Sequence, residues 1–341
     1  MTNDVLKSPY PYFGGKRRAA PLIWPRFGDC ANYVEPFFGS GAVLLGRPHA
    51  PHTETINDID CFVANFWRAL AANHEEVAYY VDHPVNEADM SARHQWLVNQ
   101  VEFRERMKTD PDYYDTKIAG WWCWGLCGWI GSGWCDTSKV IDLGNAGRGV
   151  NRQLPHLGTG GQGVNRQLPH LGNAGRGVNR KLPHLGDAGR TDTIVDYLGR
   201  LSARLRNVRV ACGDWSRVLG DSVTWRHGTT AILLDPPYAD GMEVYTNGGK
   251  STFAEVVQWA EEHGDDKRLR ICVCGYDGTW EPPQGWTTVA WKAAGGFGSQ
   301  RKAGSVKGDT NDNAKRERLW FSPGCINIDE RQLQGSLFDI K

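Results

Sequence analysis

Seven short apolar runs of strand length, separated by polar or helical stretches, limit what this chain can fold into more than any other feature. They are Tyr33–Phe37, Thr55–Asp58, Val208–Cys212, Ala231–Asp235, Leu269–Gly275, Thr287–Trp291 and Arg318–Phe321. Most lack the strict apolar–polar alternation of a strand wetted on one side, so they predict a sheet covered on both faces. Helical stretches such as Cys61–Asn73 and Phe253–Glu262 fall between them. That alternation predicts an α/β protein with a doubly wound sheet.

A long interruption, from about Asn73 to Leu205, separates the second run from the third. Its first part, Val77–Met107, is polar and helical in character. Trp121–Trp134 reads WWCWGLCGWIGSGW and holds five tryptophans. Such density usually marks a packed aromatic core, although tryptophan also stacks on bases. Three copies of a 14-residue unit follow, Leu143–His156, Leu157–His170 and Leu171–His184, and Leu185–Arg190 begins a fourth. Glycine, proline and asparagine at fixed offsets predict successive turns displaying cations, because each copy has few residues able to bury a core. A recently duplicated loop without a defined role fits the same composition.

Charge is balanced overall, with 39 basic and 39 acidic residues, which excludes a uniformly basic nucleic-acid binder. The distribution is uneven. Arg148, Arg152, Arg166, Arg176, Arg180 and Lys181 crowd the repeats, and Arg301 and Lys302 sit in a second basic, glycine-rich segment. Local contact with a polyanion and a pair of solvated loops account equally for this pattern. No apolar stretch approaches the roughly 18 residues of a membrane span. Met1–Tyr10 lacks a signal-peptide core, so a cytoplasmic protein with mostly reduced thiols among its nine cysteines is expected. Cys123, Cys127 and Cys135 lack the paired knuckles of a zinc site and are expected to be buried thiols; no metal is expected.

The sharpest local signal is Asp235-Pro236-Pro237-Tyr238, which closes the apolar run Ala231–Leu234. Two prolines end strand pairing and fix the turn. They hold the Asp235 carboxylate and the Pro236 carbonyl at the carboxyl edge of the sheet, where open α/β folds bind ligands. Such a pair suits an aromatic amine, whose lone pair is delocalised into its ring. Hydrogen bonds from the amino group to the carboxylate and carbonyl localise the lone pair toward an electrophile. Tyr238 offers a face on which an extruded base can stack.

Other strand ends carry related signals. Glu35-Pro36-Phe37-Phe38-Gly39-Ser40-Gly41 closes the first run, and Gly39 and Gly41 let backbone approach a ligand closely. Neither the dinucleotide glycine pattern nor a phosphate-loop lysine is present, which disfavours NAD and ATP. Asn57-Asp58 closes the second run with an acid suited to ribose hydroxyls. Pro11-Tyr12-Phe13-Gly14-Gly15-Lys16 joins an aromatic, a turn and a cation, and Asp214 follows the third run.

In this order the motifs resemble the Dam-like, alpha-group DNA adenine-N6 methyltransferases. The resemblance covers about Ser8–Ala72 and Arg204–Pro323, and Glu317–Pro323 looks like that family's last strand. It implies a mixed sheet of the S-adenosylmethionine-dependent methyltransferase type. The catalytic domain would comprise residues 8–72 and 204–323, an inserted target-recognition region residues 73–203, and a tail residues 324–341. It further implies S-adenosylmethionine as cofactor, surrounded by Tyr12, Lys16, Glu35, Phe37, Gly39, Gly41, Asp58, Asp214 and Asp235. Asp235, Pro236, Pro237 and Tyr238 would hold a flipped adenine of double-stranded DNA. A cognate restriction endonuclease is a partner consistent with this family. Cytosine-N4 methylation remains an alternative, since that amine needs the same carboxylate–carbonyl pair, as does a DNA-binding relative without catalysis. RNA or protein amide methylation is less favoured, because such enzymes more often carry Asn in place of Asp235.

Overall fold

The computed structural model describes residues 6–12, 14–129, 133–135, 193–237, 249–292 and 316–328. The repeats and their arginines, Tyr238, Arg301 and Lys302 lie outside the described residues. Two compact units divide the chain. The first holds Phe13–Asp60 and Asn207–Lys341 with the extreme N-terminus, the second Ser8–Tyr12 and Cys61–Arg206.

The first unit is built on seven strands: β1 (Asn32–Glu35), β2 (Thr53–Asp58), β3 (Val208–Cys212), β4 (Thr230–Leu234), β5 (Leu269–Tyr276), β6 (Thr287–Ala290) and β7 (Glu317–Phe321). Their order across the sheet is β3-β2-β1-β4-β5-β7-β6. β1 pairs in parallel with both β2 and β4, whereas β7 runs antiparallel to β5 and β6. The chain winds outward from β1 in one direction and from β4 in the other. The carboxyl ends of these two neighbours therefore flank the switch point, where open sheets place ligands.

Helices cover both faces, as the strand patterns predict. α1 (Ala20–Phe27) starts where the Ala19 and Ala20 N–H groups bond the Lys16 carbonyl, and it ends at Gly28 with φ +58°. It lays Trp24 and Phe27 against Tyr33 of β1, with ring centroids 5.0 and 6.3 Å apart. The alternate residues Val34, Ile232, Leu234, Ile271 and Val273 pack instead with Phe253, Val256 and Ala260 of α9 (Gly249–His263). Each fully buried aliphatic side chain contributes about 1.5–3 kcal/mol of transfer free energy. The edge strands depart from the two-face expectation. β6 buries only Val289, and β3 is largely half-exposed, because each has a neighbour on one side alone.

The second unit comprises α3 (Cys61–Ala72), α4 (His74–Val81), α5 (Glu87–Val98), α6 (Val101–Thr109), α7 (Thr116–Gly128) and α8 (Ile194–Leu205). Asn73, Asn86 and Asp115 cap the starts of α4, α5 and α7 with side-chain acceptors, and Thr193 and Asp196 form a reciprocal capping box on α8. The tryptophan run is mainly core: Trp122 and Trp124 are buried, and Trp122 packs against Tyr10, Phe62 and Phe66. These rings draw α3 into the second unit, which takes up the chain after Asp60 and returns it to the first at Asn207.

Cys123 and Cys127 are buried thiols. Among the described residues no His, Cys, Asp or Glu group is arranged to hold a metal, and no helix is long and apolar enough to cross a membrane.

Candidate active site at the carboxyl edge of the sheet

Pro36 stops β1 after Glu35, and the chain turns through Phe38, Gly39, Ser40 and Gly41 into α2 (Ala42–Leu45). Gly39 and Gly41 have φ +47° and +66°. A Cβ on Gly41 would lie 2.5 Å from the Phe38 ring, so glycine is required twice over, by conformation and by space. The turn is sewn to the end of β2. The Phe38 N–H donates to the Asn57 carbonyl at 3.0 Å, and the Gly39 N–H donates to Asp58 Oδ2 at 2.9 Å. Asn57 Nδ2 donates to the carbonyls of Pro36 and Gly213, both at 3.0 Å, and the Gly213 N–H donates to the Asp58 carbonyl. One buried amide thus gathers the loops after β1, β2 and β3.

Two acids in this cluster are electrostatically unusual. Asp58 is raised to about 7, chiefly by burial and then by the charge of Asp60, against opposing N–H groups that include those of Gly39 and Asp60. Burial pushes Glu35 well above its ordinary value; its Oε2 accepts from the Tyr33 hydroxyl at 2.8 Å, and Asp235 and Asp58 raise it further. Burial therefore biases Glu35 toward its neutral form.

Asp235 stands at the end of β4, with Pro236 buried behind it. Its Oδ2 lies 2.9 Å from Lys16 Nζ, which also donates to the Gly14 carbonyl at 2.9 Å and sits 5.8 Å from the Trp291 ring centroid. Phe37 is half-buried and stacks on Trp215 at 6.1 Å. Asp214 is exposed, and its Oδ1 accepts from the Ser216 N–H and hydroxyl, capping the turn Trp215–Val218.

Of the expected site residues, Lys16, Glu35, Phe37, Gly39, Gly41, Asp58, Asp214, Asp235, Pro236 and Pro237 all fall in the first unit; Lys16 precedes α1, and the others lie at strand ends or in the turns that follow them. Tyr12 belongs to the second unit, and Tyr238 lies outside the described residues. Sequence reading missed Tyr33, Trp215 and Trp291. They lie inside strands or short turns, where an aromatic residue signals only core.

Residues 12–118 match the profile of the D12 class N6 adenine-specific DNA methyltransferase family. Over these residues the chain is similar to that family. No curated protein matches the chain. The matched stretch carries Lys16, the Glu35–Gly41 turn and Asp58, and it ends within α7. Asp235 and the prolines after it lie beyond the match, on the strand beside β1. The seven-stranded order with one reversed strand is that of the S-adenosylmethionine-dependent methyltransferase fold. The match supports a methyltransferase acting on adenine N6 of DNA over the cytosine alternative.

Proposed function

We propose that this protein transfers a methyl group from S-adenosylmethionine to N6 of an adenine turned out of double-stranded DNA, using Asp235 and the Pro236 carbonyl to hold the amine. The observation that carries the reading is the placement of Asp235, at the end of β4, beside the glycine turn and buried acid that end β1 and β2.

The residues fit the cofactor. The turn Phe38–Gly41 admits no side chain at Gly41, so backbone can lie close to the ligand. Asp58 is a buried acid at the neighbouring strand end whose oxygens already accept the Gly39 and Asp60 N–H groups. Ribose hydroxyls are the donors its remaining lone pairs suit. Phe37 supplies an apolar surface, and Glu35 and Asp214 complete the acidic strand ends. When bound, the cofactor supplies an electrophilic methyl group on a sulfonium. The chain's own part is positioning and polarisation: Asp235 and the Pro236 carbonyl accept hydrogen bonds from the amine, which directs its lone pair at the methyl carbon. On transfer to the held amine the cofactor would leave as the neutral thioether, and the methylated amine, still held by Asp235 and the Pro236 carbonyl, would release one proton to water. In this reading Tyr238 stacks on the extruded base, and Arg148, Arg152, Arg166, Arg176, Arg180, Lys181, Arg301 and Lys302 meet phosphates.

The test is single-turnover methylation of DNA by wild type and Asp235→Asn with labelled S-adenosylmethionine. The rate should fall by about 100-fold or more, the scale of losing one preorganised transition-state contact. A variant with near wild-type turnover would remove Asp235 from the chemistry.

A further inference from the structure

The strand-end motifs suggested that Lys16 faces the cofactor. Its geometry directs it elsewhere. The ammonium is 5% exposed and spends two donor contacts inside the protein, on Asp235 Oδ2 and the Gly14 carbonyl, each at 2.9 Å. Trp291 lies along a third side. The lysine is held at its other end as well, because its backbone carbonyl accepts the first N–H groups of α1. A cation anchored by its own main chain and by a turn carbonyl is a fixed post, not a flexible arm.

The carboxylate is the more open partner, at 19% exposure against 5% for the lysine. A ligand arriving at the end of β4 therefore meets Asp235 before it meets Lys16. The lysine engages Oδ2, and Oδ1 is the oxygen the amine needs. Charge reinforces this. Burial alone would lower the pKa of Lys16, yet Asp235 and then Cys274 and Glu317 raise it above its ordinary value. The ammonium is therefore charged at every working pH.

We propose that Lys16 is a positioning residue for methyl transfer: it fixes the Asp235 carboxylate through Oδ2, and it is not a ligand of the cofactor. The inference rests on the functional reading above. With Oδ2 held by the lysine, the carboxylate is fixed in one orientation and presents Oδ1 to the amine as an acceptor. The groups around the pair are Glu35 on β1, Cys274 and Tyr276 on β5, Glu317 on β7 and Arg316 beside it. Glu35 and the thiol are both driven toward their neutral forms by burial, and among the described residues Lys16 is the cation in direct contact with the carboxylate.

Lys16→Met, Lys16→Arg and the double variant Lys16→Met/Asp235→Asn test this. With Lys16→Met, S-adenosylmethionine affinity by calorimetry without DNA should stay within about threefold. The saturated single-turnover rate should fall by about 100-fold at pH 7. Lys16→Arg should recover part of the rate. A tenfold or greater loss of cofactor affinity with an unchanged saturated rate would overturn the proposal and make Lys16 a ligand. If Lys16→Met unfolds, the double variant carries no unpaired charge and should regain a cooperative melt; failure of both to fold would contradict a charge-pairing role. The calorimetric affinity separates this inference from the functional reading, because it is read without DNA and whether or not the protein methylates it; a tenfold loss in Lys16→Met would sink the proposal.

Discussion

At the scale of single residues, Asp58 carries the clearest consequence of burial. Its pKa in the unliganded fold rises from 3.8 to about 7. A folded value above the unfolded one means that stability present below pH 4 is lost as pH climbs toward 7. The melting temperature should therefore fall more between pH 5 and pH 8 in wild type than in Asp58→Asn, as read by calorimetry. An identical pH dependence in the two proteins would show that Asp58 is not buried as an acid. Cofactor binding carries the opposite sign. Ribose hydroxyls donate to the ionised form, so affinity for S-adenosylmethionine should weaken about tenfold per pH unit below 7, the slope expected for one coupled proton. A flat affinity between pH 5.5 and 8 would move the ribose contact away from Asp58. Both acids at the ends of β1 and β2 were legible in the sequence, because an acid after an apolar run needs only local reading. The contact of Lys16 with Asp235 was not, because no periodicity links residues brought together by pairing of β1 with β4.

At the scale of elements, two glycines report on how closely segments pass. Gly41→Ala meets both a left-handed backbone and the Phe38 ring. It should cost about 1–3 kcal/mol of stability, the combined scale of backbone strain and overpacking, and should weaken the cofactor as well. Gly120 lies where α7 crosses α4: a Cβ there would come within 2.3 Å of the Tyr80 Cβ and 2.9 Å of the Val77 carbonyl. Backbone cannot yield as a side-chain tip can, so Gly120→Ala should lower the denaturation midpoint by an amount worth about 1–3 kcal/mol. An unchanged midpoint would mean that α4 and α7 are not in close contact. The strand positions were largely legible from apolar runs, but their ends were less so. Pro36 stops β1 after Glu35 although the apolar run continues to Phe37. β6 exposes three of its four residues, since edge position depends on strand order and not on local composition. The extent of α3 was legible, but its allegiance was not: Phe62 and Phe66 look like sheet-facing core, and only tertiary packing reveals that Trp122 is their partner.

At the scale of the whole molecule, one unit carries the sheet and the acid cluster, and the other is an aromatic-cored helical bundle that the motifs barely announced. The order of strands follows from parallel pairing of short apolar runs, while the chemistry collects where the winding reverses. The central claim is that this arrangement methylates adenine at N6, and nucleoside mass spectrometry tests it most directly. Unmethylated double-stranded DNA incubated with the purified full chain and S-adenosylmethionine bearing a deuterated methyl group should yield deuterium-labelled N6-methyladenine, and Asp235→Asn should not. Label in N4-methylcytosine, or no label in DNA from a protein shown by calorimetry to bind the cofactor, would contradict the account.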